Sequence, residues 1–447
     1  MEDDFVVQRA AIHRMRMAHQ RGMRGILRTD IENGLKLPAG PSRNSERMAP
    51  APVCIAIRLS QGSFNRRARR DLREKQANRL LCELSDLWGW TFFVNSSHSN
   101  PEFAQFVGPK VFSKRMDVVS FTRQLIDIES TTGNEGPVGK FLAQELLRLG
   151  YEVKVTIAEG ERANIFAISS QEANPAVVFS THMDTVPPFI ASSEDADRVY
   201  GRGACDAKGI IAAQISAAEK LKGEGIYVGL LFLVGEERDS LGAKVANEQP
   251  NSCKFLINGE PTENRVATAS KGALRVELTA TGRMAHSAYP ELGESAIDKL
   301  VEALHRLRAM KLPEAPDVGP CTMNIGMIEG GRAPNVISDK ARALLLFRLI
   351  APSEPLREQI VSTVGDLVHV DFTLDIPFVR LRTFEGVPTM VAKFTTDIPA
   401  LSNWGQPLLL GPGSILVAHT EGEYVEKKQL CEAVELYCTI ARKLFGK

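Results

Sequence analysis

The chain reads as an α/β protein with a mixed sheet, interrupted by a smaller inserted α+β unit. Three observations predict this. Segments of helical period alternate with short apolar runs, the pattern of strands buried on both faces. Three of those runs end in imidazole or carboxylate groups, at His182–Asp184, Glu236–Glu237 and Glu260. Between residues 272 and 384 the order changes to β-α-β-β-α-β, that of a ferredoxin-like sandwich.

The first 115 residues differ from the rest. The first 80 carry 17 Lys and Arg against 8 Asp and Glu, with arginines at 66, 67, 69 and 70. A basic arm for nucleic acid is one reading. A solvated helix over 65–84 beside an aromatic cluster of Trp88, Trp90, Phe92 and Phe93 is another. A mis-assigned translation start or a disordered extension is the third, because Met116 opens a stretch that looks like a natural amino terminus.

From there the elements follow in order. Residues 118–128 have helical periodicity, broken by Thr131, Thr132, Gly133 and Asn134. A second helix, 135–149, is closed by Gly150. Residues 151–157 alternate like a strand, 164–169 and 176–179 give further strands, and 209–221 is a helix rich in Ala and Ile. The long apolar run 226–234 is a buried strand leading into Gly235, Glu236 and Glu237. The run 253–257 ends in Asn258, Gly259, Glu260 and Pro261. Adjacent carboxylates beside an apolar strand are costly unless a positive group compensates. Taken alone, the Glu pair reads as a solvated turn with Arg238 nearby. Taken with His182 and Asp206, it reads as a metal ligand beside a general base.

In the inserted part, 274–281, 322–329, 341–349 and 371–376 read as strands, and 295–307 and 354–368 as helices. Residues 380–383 lead back. A helix is expected at 389–395, an edge strand at 405–410, a tight loop near substrate at Gly411–Gly413, and a closing helix at 427–444. Glu421 and Glu423 are either supporting groups or surface charge.

Formal net charge is zero, so nothing global points to nucleic acid or a membrane surface. No apolar run approaches the 18 residues of a membrane span. The seven cysteines show no Cys-x-x-Cys spacing and read as reduced thiols of a cytoplasmic protein. Cys205, beside Asp206, lacks a paired base and reads as a packing residue.

Five stretches carry a resemblance: THMDTVP at 181–187, GRGACDAKG at 201–209, GEE at 235–237, NGEPT at 258–262 and AHTEGEYV at 418–425. In order and spacing they resemble the M20 family of co-catalytic zinc amidohydrolases and peptidases. That family includes acetylornithine deacetylase, succinyl-diaminopimelate desuccinylase, aminoacylase and glutamate carboxypeptidases. The likeness begins at Met116. It implies a zinc-exopeptidase-like catalytic domain from 116–271 and 385–447, with a lid and dimerisation domain at 272–384. It implies two Zn2+ per subunit, replaceable by Co2+: His182 and Glu260 complete one site, Glu237 and His419 the other, and Asp206 bridges them. Asp184 orients His182, and Glu236 is the general base. Zinc accepts imidazole and carboxylate together, and a remaining carboxylate is needed to carry the proton to the leaving amine.

In the lid, the family pattern around GRMAHS places His286 over the active site, commonly that of a partner subunit, as an oxyanion donor. Asn335, Arg348 and Gly413 are the substrate-binding candidates, with Arg348 gripping a carboxylate although Phe347 stands where an acidic residue is commoner. The implied activity is hydrolysis of the amide of an N-acyl amino acid, first of all acetylornithine deacetylase-like. Desuccinylase, aminoacylase and di- or exopeptidase activities are the alternatives. The implied assembly is a homodimer through the lid. A non-catalytic peptide-binding module is the reading from another class, disfavoured because every expected ligand and base position is occupied.

Overall fold

The computed structural model describes residues 56–59, 116–249 and 251–446. The expected helix at 65–84, the arginine and aromatic clusters near it, Cys54 and Cys82 lie outside the described residues.

Among the described residues, seven strands form the main sheet, in the order Ala56–Leu59, Tyr151–Glu159, Arg162–Ser169, Gly229–Leu233, Val177–His182, Phe255–Asn258 and Gln406–Leu409. Val177–His182 runs parallel to both its neighbours, and Gln406–Leu409 parallel to Phe255–Asn258. Arg162–Ser169 is antiparallel to both of its neighbours, so the sheet is mixed. The central strands Val177–His182 and Gly229–Leu233 are buried at every position, which explains their unbroken apolar character. Their parallel alignment puts His182, the Gly235 turn and Glu260 at one edge.

Helix Lys208–Gly223 lies against this sheet with most of its surface buried. Its Ala residues and Gly209 allow close approach of helix Lys427–Leu444, with Gly209 next to Leu430. Helix Lys427–Leu444 also touches the sheet, where Tyr437 and Phe179 have ring centroids 5.2 Å apart. Helix Val118–Ile126 is started by Asp117, whose side chain accepts from the Ser120 N–H.

The inserted unit is a four-stranded antiparallel sheet, ordered Thr322–Gly330, Lys340–Leu349, Gly272–Thr281 and His369–Ile376. Helices Ala296–Ala309 and Glu354–Val364 cover one face. Leu274, Val276, Leu278, Leu300, Leu345 and Phe347 fill the space between, all nearly inaccessible to water, each contributing about 1.5–3 kcal/mol by burial. The strand order is that of the expected ferredoxin-like sandwich.

Two expectations are corrected. The helix expected over 354–368 ends at Val364 and gives way to a 3-10 turn, Gly365–Leu367. The helix expected at 389–395 is instead the strand Thr389–Ala392, paired parallel with Val266–Ser270. Val266–Ser270 also pairs with Val379–Arg380, so this small sheet joins the chain's entry to the lid with its exit. A buried, unsatisfied strand edge there outweighs local helix propensity.

Candidate metal centre

His182 closes its strand 1 % exposed. Its Nε2 lies 3.0 Å from Asp206 Oδ1, and its Nδ1 is 2.9 Å from the Asp184 carbonyl oxygen and 3.5 Å from the Asp184 carboxylate. The nearer acceptor for the Nδ1 proton is therefore the carbonyl. The Asp184 carboxylate is engaged elsewhere. It accepts from the backbone N–H of Gly235 (3.0 Å), Glu236 (3.1 Å) and Glu237 (3.2 Å), and from the Thr132 hydroxyl (2.9 Å). Asp184 thus anchors the turn that carries both glutamates. Gly235 in that turn has φ +80°, and a side chain on it would meet Arg162 Nη2 at 2.7 Å. Arg162 is held there by a buried ion pair with Glu135 at 2.9 Å.

Asp206 comes from the turn before helix Lys208–Gly223, where the helix dipole favours a carboxylate. His419 Nε2 approaches Glu237 Oε1 at 3.0 Å and Asp206 Oδ2 at 3.4 Å. Two groups result, His182–Asp206–Glu260 and Asp206–Glu237–His419, each with its ligand atoms within 4.8 Å of one another and with Asp206 in both. Glu236 belongs to neither, and its carboxylate has no hydrogen bond or ion pair among the described residues.

The charge balance tests whether metal ions fit. Burial, with Asp206 close by, pushes Glu260 well above the usual carboxylate range, and burial together with Glu260 does the same to Glu236. Burial also raises Glu237. Hydrogen bonds to Asp206 and Glu237 lift His419 to about 10. Burial opposes ionisation of His182, yet Asp184 and Asp206 raise it well above the ordinary imidazole value. The acids outnumber the imidazoles, and Glu260 Oε1 is buried with no hydrogen-bond partner among the described residues. An excess of buried carboxylate with an unsatisfied oxygen, mixed with imidazole, is the donor set of a pair of divalent cations. The residues fit a dinuclear centre.

His286 is exposed and sits opposite Val336 in a two-residue ladder. Its Nδ1 accepts from the Ala288 N–H at 3.1 Å, so in the neutral ring the proton sits on Nε2, which has no hydrogen-bond partner among the described residues. Asn335 is beside it, its carbonyl accepting from the Ser287 N–H. Arg348 is half-buried on the sheet face opposite Phe347, and burial alone lowers its pKa. No hydrogen bond or ion pair joins these three to either cluster among the described residues. Gly413 has φ +84°, and a side chain there would lie 2.4 Å from Cys205 Cβ. The thiol of Cys205 is buried and pushed well above its usual pKa by desolvation, the state of a packing residue.

Sequence reasoning missed several groups. Glu423, left open between two roles, is 1 % exposed and ion-paired with Arg202 at 2.6 Å. Asp397 is 1 % exposed, and desolvation raises it to about 7. Nearby Ser240 offsets that rise in part, yet neither Asp397 oxygen has a partner at hydrogen-bonding geometry among the described residues. Lys208 is buried with Nζ 2.6 Å from the Ile128 carbonyl. A buried polar residue inside a family-like stretch, as for Arg202 and Lys208, was the available signal. Asp397 had none.

Residues 268–368 match the peptidase dimerisation domain, M20_dimer. A peptidase M20 domain-containing protein of Schizosaccharomyces pombe is 37% identical over 333 residues, covering 72% of this chain and 83% of the relative. A protein of Aspergillus fumigatus named "probable carboxypeptidase" is 36% identical over 381 residues, covering 72% and 85%. The chain belongs to the M20 peptidase family and is a metal-dependent hydrolase of that family. Two solved structures share the fold. A tripeptidase from Staphylococcus aureus superposes with a TM-score of 0.63 at 23% identity, covering 74% of this chain and 99% of that one. Aminopeptidase PepT from Bacillus cereus superposes with 0.61 at 21% identity, covering 73% and 98%. No helix of the described residues is long and apolar enough to cross a membrane.

Proposed function

We propose that this enzyme hydrolyses the amide joining an acyl or aminoacyl group to a small amino acid with a free α-carboxylate. The observation that carries this is the uncommitted Glu236 carboxylate beside two carboxylate–imidazole clusters that share Asp206. His182 and Glu260 would hold one ion, Glu237 and His419 the other, and Asp206 both. Two divalent cations held there would supply the Lewis acidity that polarises a carbonyl oxygen and activates water near neutral pH. Glu236 takes the proton of the attacking water and delivers it to the leaving nitrogen. Asp184 holds the Glu236 backbone in place while it does so. Nε2–H of His286 donates to the oxyanion, Asn335 and Arg348 receive the substrate from the lid, and Gly413 lets its substrate-facing loop pass close to Cys205, next to Asp206.

The domain reading that goes with this has a catalytic part, 116–271 and 385–447, and a lid, 272–384, that pairs two copies. Acetylornithine is one substrate of the proposed class. The relatives named as carboxypeptidases favour a peptide bond instead. A hydrolysis screen over acetyl, succinyl and dipeptide substrates, each as acid and amide and with Zn2+ or Co2+ supplied, decides between them. Turnover confined to acids supports the class, and equal turnover of the amides rejects it.

A further inference from the structure

Glu423 is closed off from water, yet both carboxylate oxygens are used. Oε1 accepts from the backbone N–H of Gly203 (2.9 Å), Cys205 (3.3 Å) and Asp206 (3.3 Å), and faces the Cys205 thiol at 3.6 Å. Oε2 accepts from Arg202 Nη1 at 2.6 Å. The Glu423 carbonyl accepts from the Gly201 N–H at 3.1 Å. Local pairing delivers it there: Tyr424–Glu426 runs antiparallel to Arg198–Tyr200 with Tyr424 opposite Tyr200, which leaves Glu423 across from the turn after Tyr200. Four residues before Glu423, His419 has a left-handed backbone, φ 65°. A non-glycine residue keeps that conformation only where its surroundings impose it.

We propose that Glu423 is a positioning residue: its carboxylate sets the backbone of 203–206, and so the direction of Asp206, and ties the His419 turn to it. This rests on the assignment of Asp206 and His419 to the metal clusters. An anion is required because one oxygen gathers several N–H donors while the other faces a guanidinium. A glutamine would turn its NH2 group either onto Arg202 or onto the backbone donors.

The test is competition of a chelator for Co2+ in the Co2+-loaded full-length enzyme, read by visible absorption, with a thermal melt on the same sample. Glu423→Gln should bind Co2+ about tenfold more weakly or worse, with an altered spectrum at temperatures where it is still folded. Its kcat should fall while KM changes little. Arg202→Met combined with Glu423→Gln should recover part of the affinity, since the amide oxygen is then free to face the three N–H groups. Wild-type affinity and spectrum in folded Glu423→Gln overturns the proposal. If Glu423→Gln does not fold, the double variant decides in the same assay, because it lacks the anion without stranding Arg202: binding weaker than wild type supports the proposal and wild-type binding overturns it. Asp206→Asn separates the two levels. Normal Co2+ binding by that variant means that the cluster assignment, and this proposal with it, has failed. Lost binding there beside normal binding in Glu423→Gln means that only the positioning role has failed.

Discussion

The catalytic cup and the lid treat their polar groups differently. In the cup the two imidazoles find partners within one chain, His182 with Asp206 and His419 with Glu237, each at 3.0 Å, while Glu236 stays unpaired among the described residues. On the lid, His286 and Asn335 face water, and Arg348 has no charged partner among the described residues. A charge sealed in a low-dielectric interior must be met by the fold itself, because water is not there to solvate it. A group left at a surface can wait for a partner from outside. The cup meets its charges from within the chain, and the proposed roles of the lid residues require a group from outside it.

The sharpest way to break this comparison is Glu236→Gln. It should lose about 10²–10⁴-fold in kcat and keep the wild-type metal content measured by elemental analysis, because Glu236 lies in neither cluster. Near-normal turnover of a metal-loaded variant would remove Glu236 from the chemistry.

Next is the lid's dependence on another copy. His286→Ala should cost about 10²–10³-fold in kcat. Subunit exchange between His286→Ala and Glu236→Gln should restore activity, since one composite site is then intact. Mixed dimers that form, shown by differential tagging, yet stay inactive would place His286 over its own cup.

A smaller effect is expected of Arg348. Loss of a hydrogen bond to a charged group is worth about 1.5–3 kcal/mol, so Arg348→Ala should erase about 10–100-fold of the preference for acid over amide substrate in kcat/KM. Arg348→Lys should restore little of it, because lysine offers one point charge in place of a fork. An acid preference that survives Arg348→Ala assigns carboxylate recognition to another group.

The cup itself is unequal. The His182 side chain is 1 % exposed and that of His419 is 47 %. Stepwise dialysis against a chelator should remove one equivalent before the other. His419→Ala should retain about one equivalent, while His182→Ala should retain less, with elemental analysis as the readout. Equal, simultaneous release would mean that the difference in burial has no bearing on affinity.

Much was legible because it is local or periodic. The closing helix was expected at 427–444 and is Lys427–Leu444. The lid strands were legible as runs between helices, and the alternating burial of Lys340–Leu349 explains why Phe347 is buried and Arg348 only half-buried. The strand Thr389–Ala392 was missed because its reason to be extended lies in Val266–Ser270, far away in sequence. The same distance hid Glu423. Its donor Gly203 lies 220 positions earlier, and no spacing rule connects the two.

Asp184 shows the division most clearly. The sequence by itself determined that acidic and imidazole groups stand at successive strand ends, since side-chain period and apolar runs are properties of neighbouring residues. It determined the strand–helix order of the lid for the same reason. Only the tertiary structure decided that the Asp184 carboxylate collects the N–H groups of 235–237 while its carbonyl faces His182, and that Asp206 is common to two clusters. Those outcomes depend on which buried donors must be satisfied once the strands are packed side by side, and that is settled only when the whole sheet has formed.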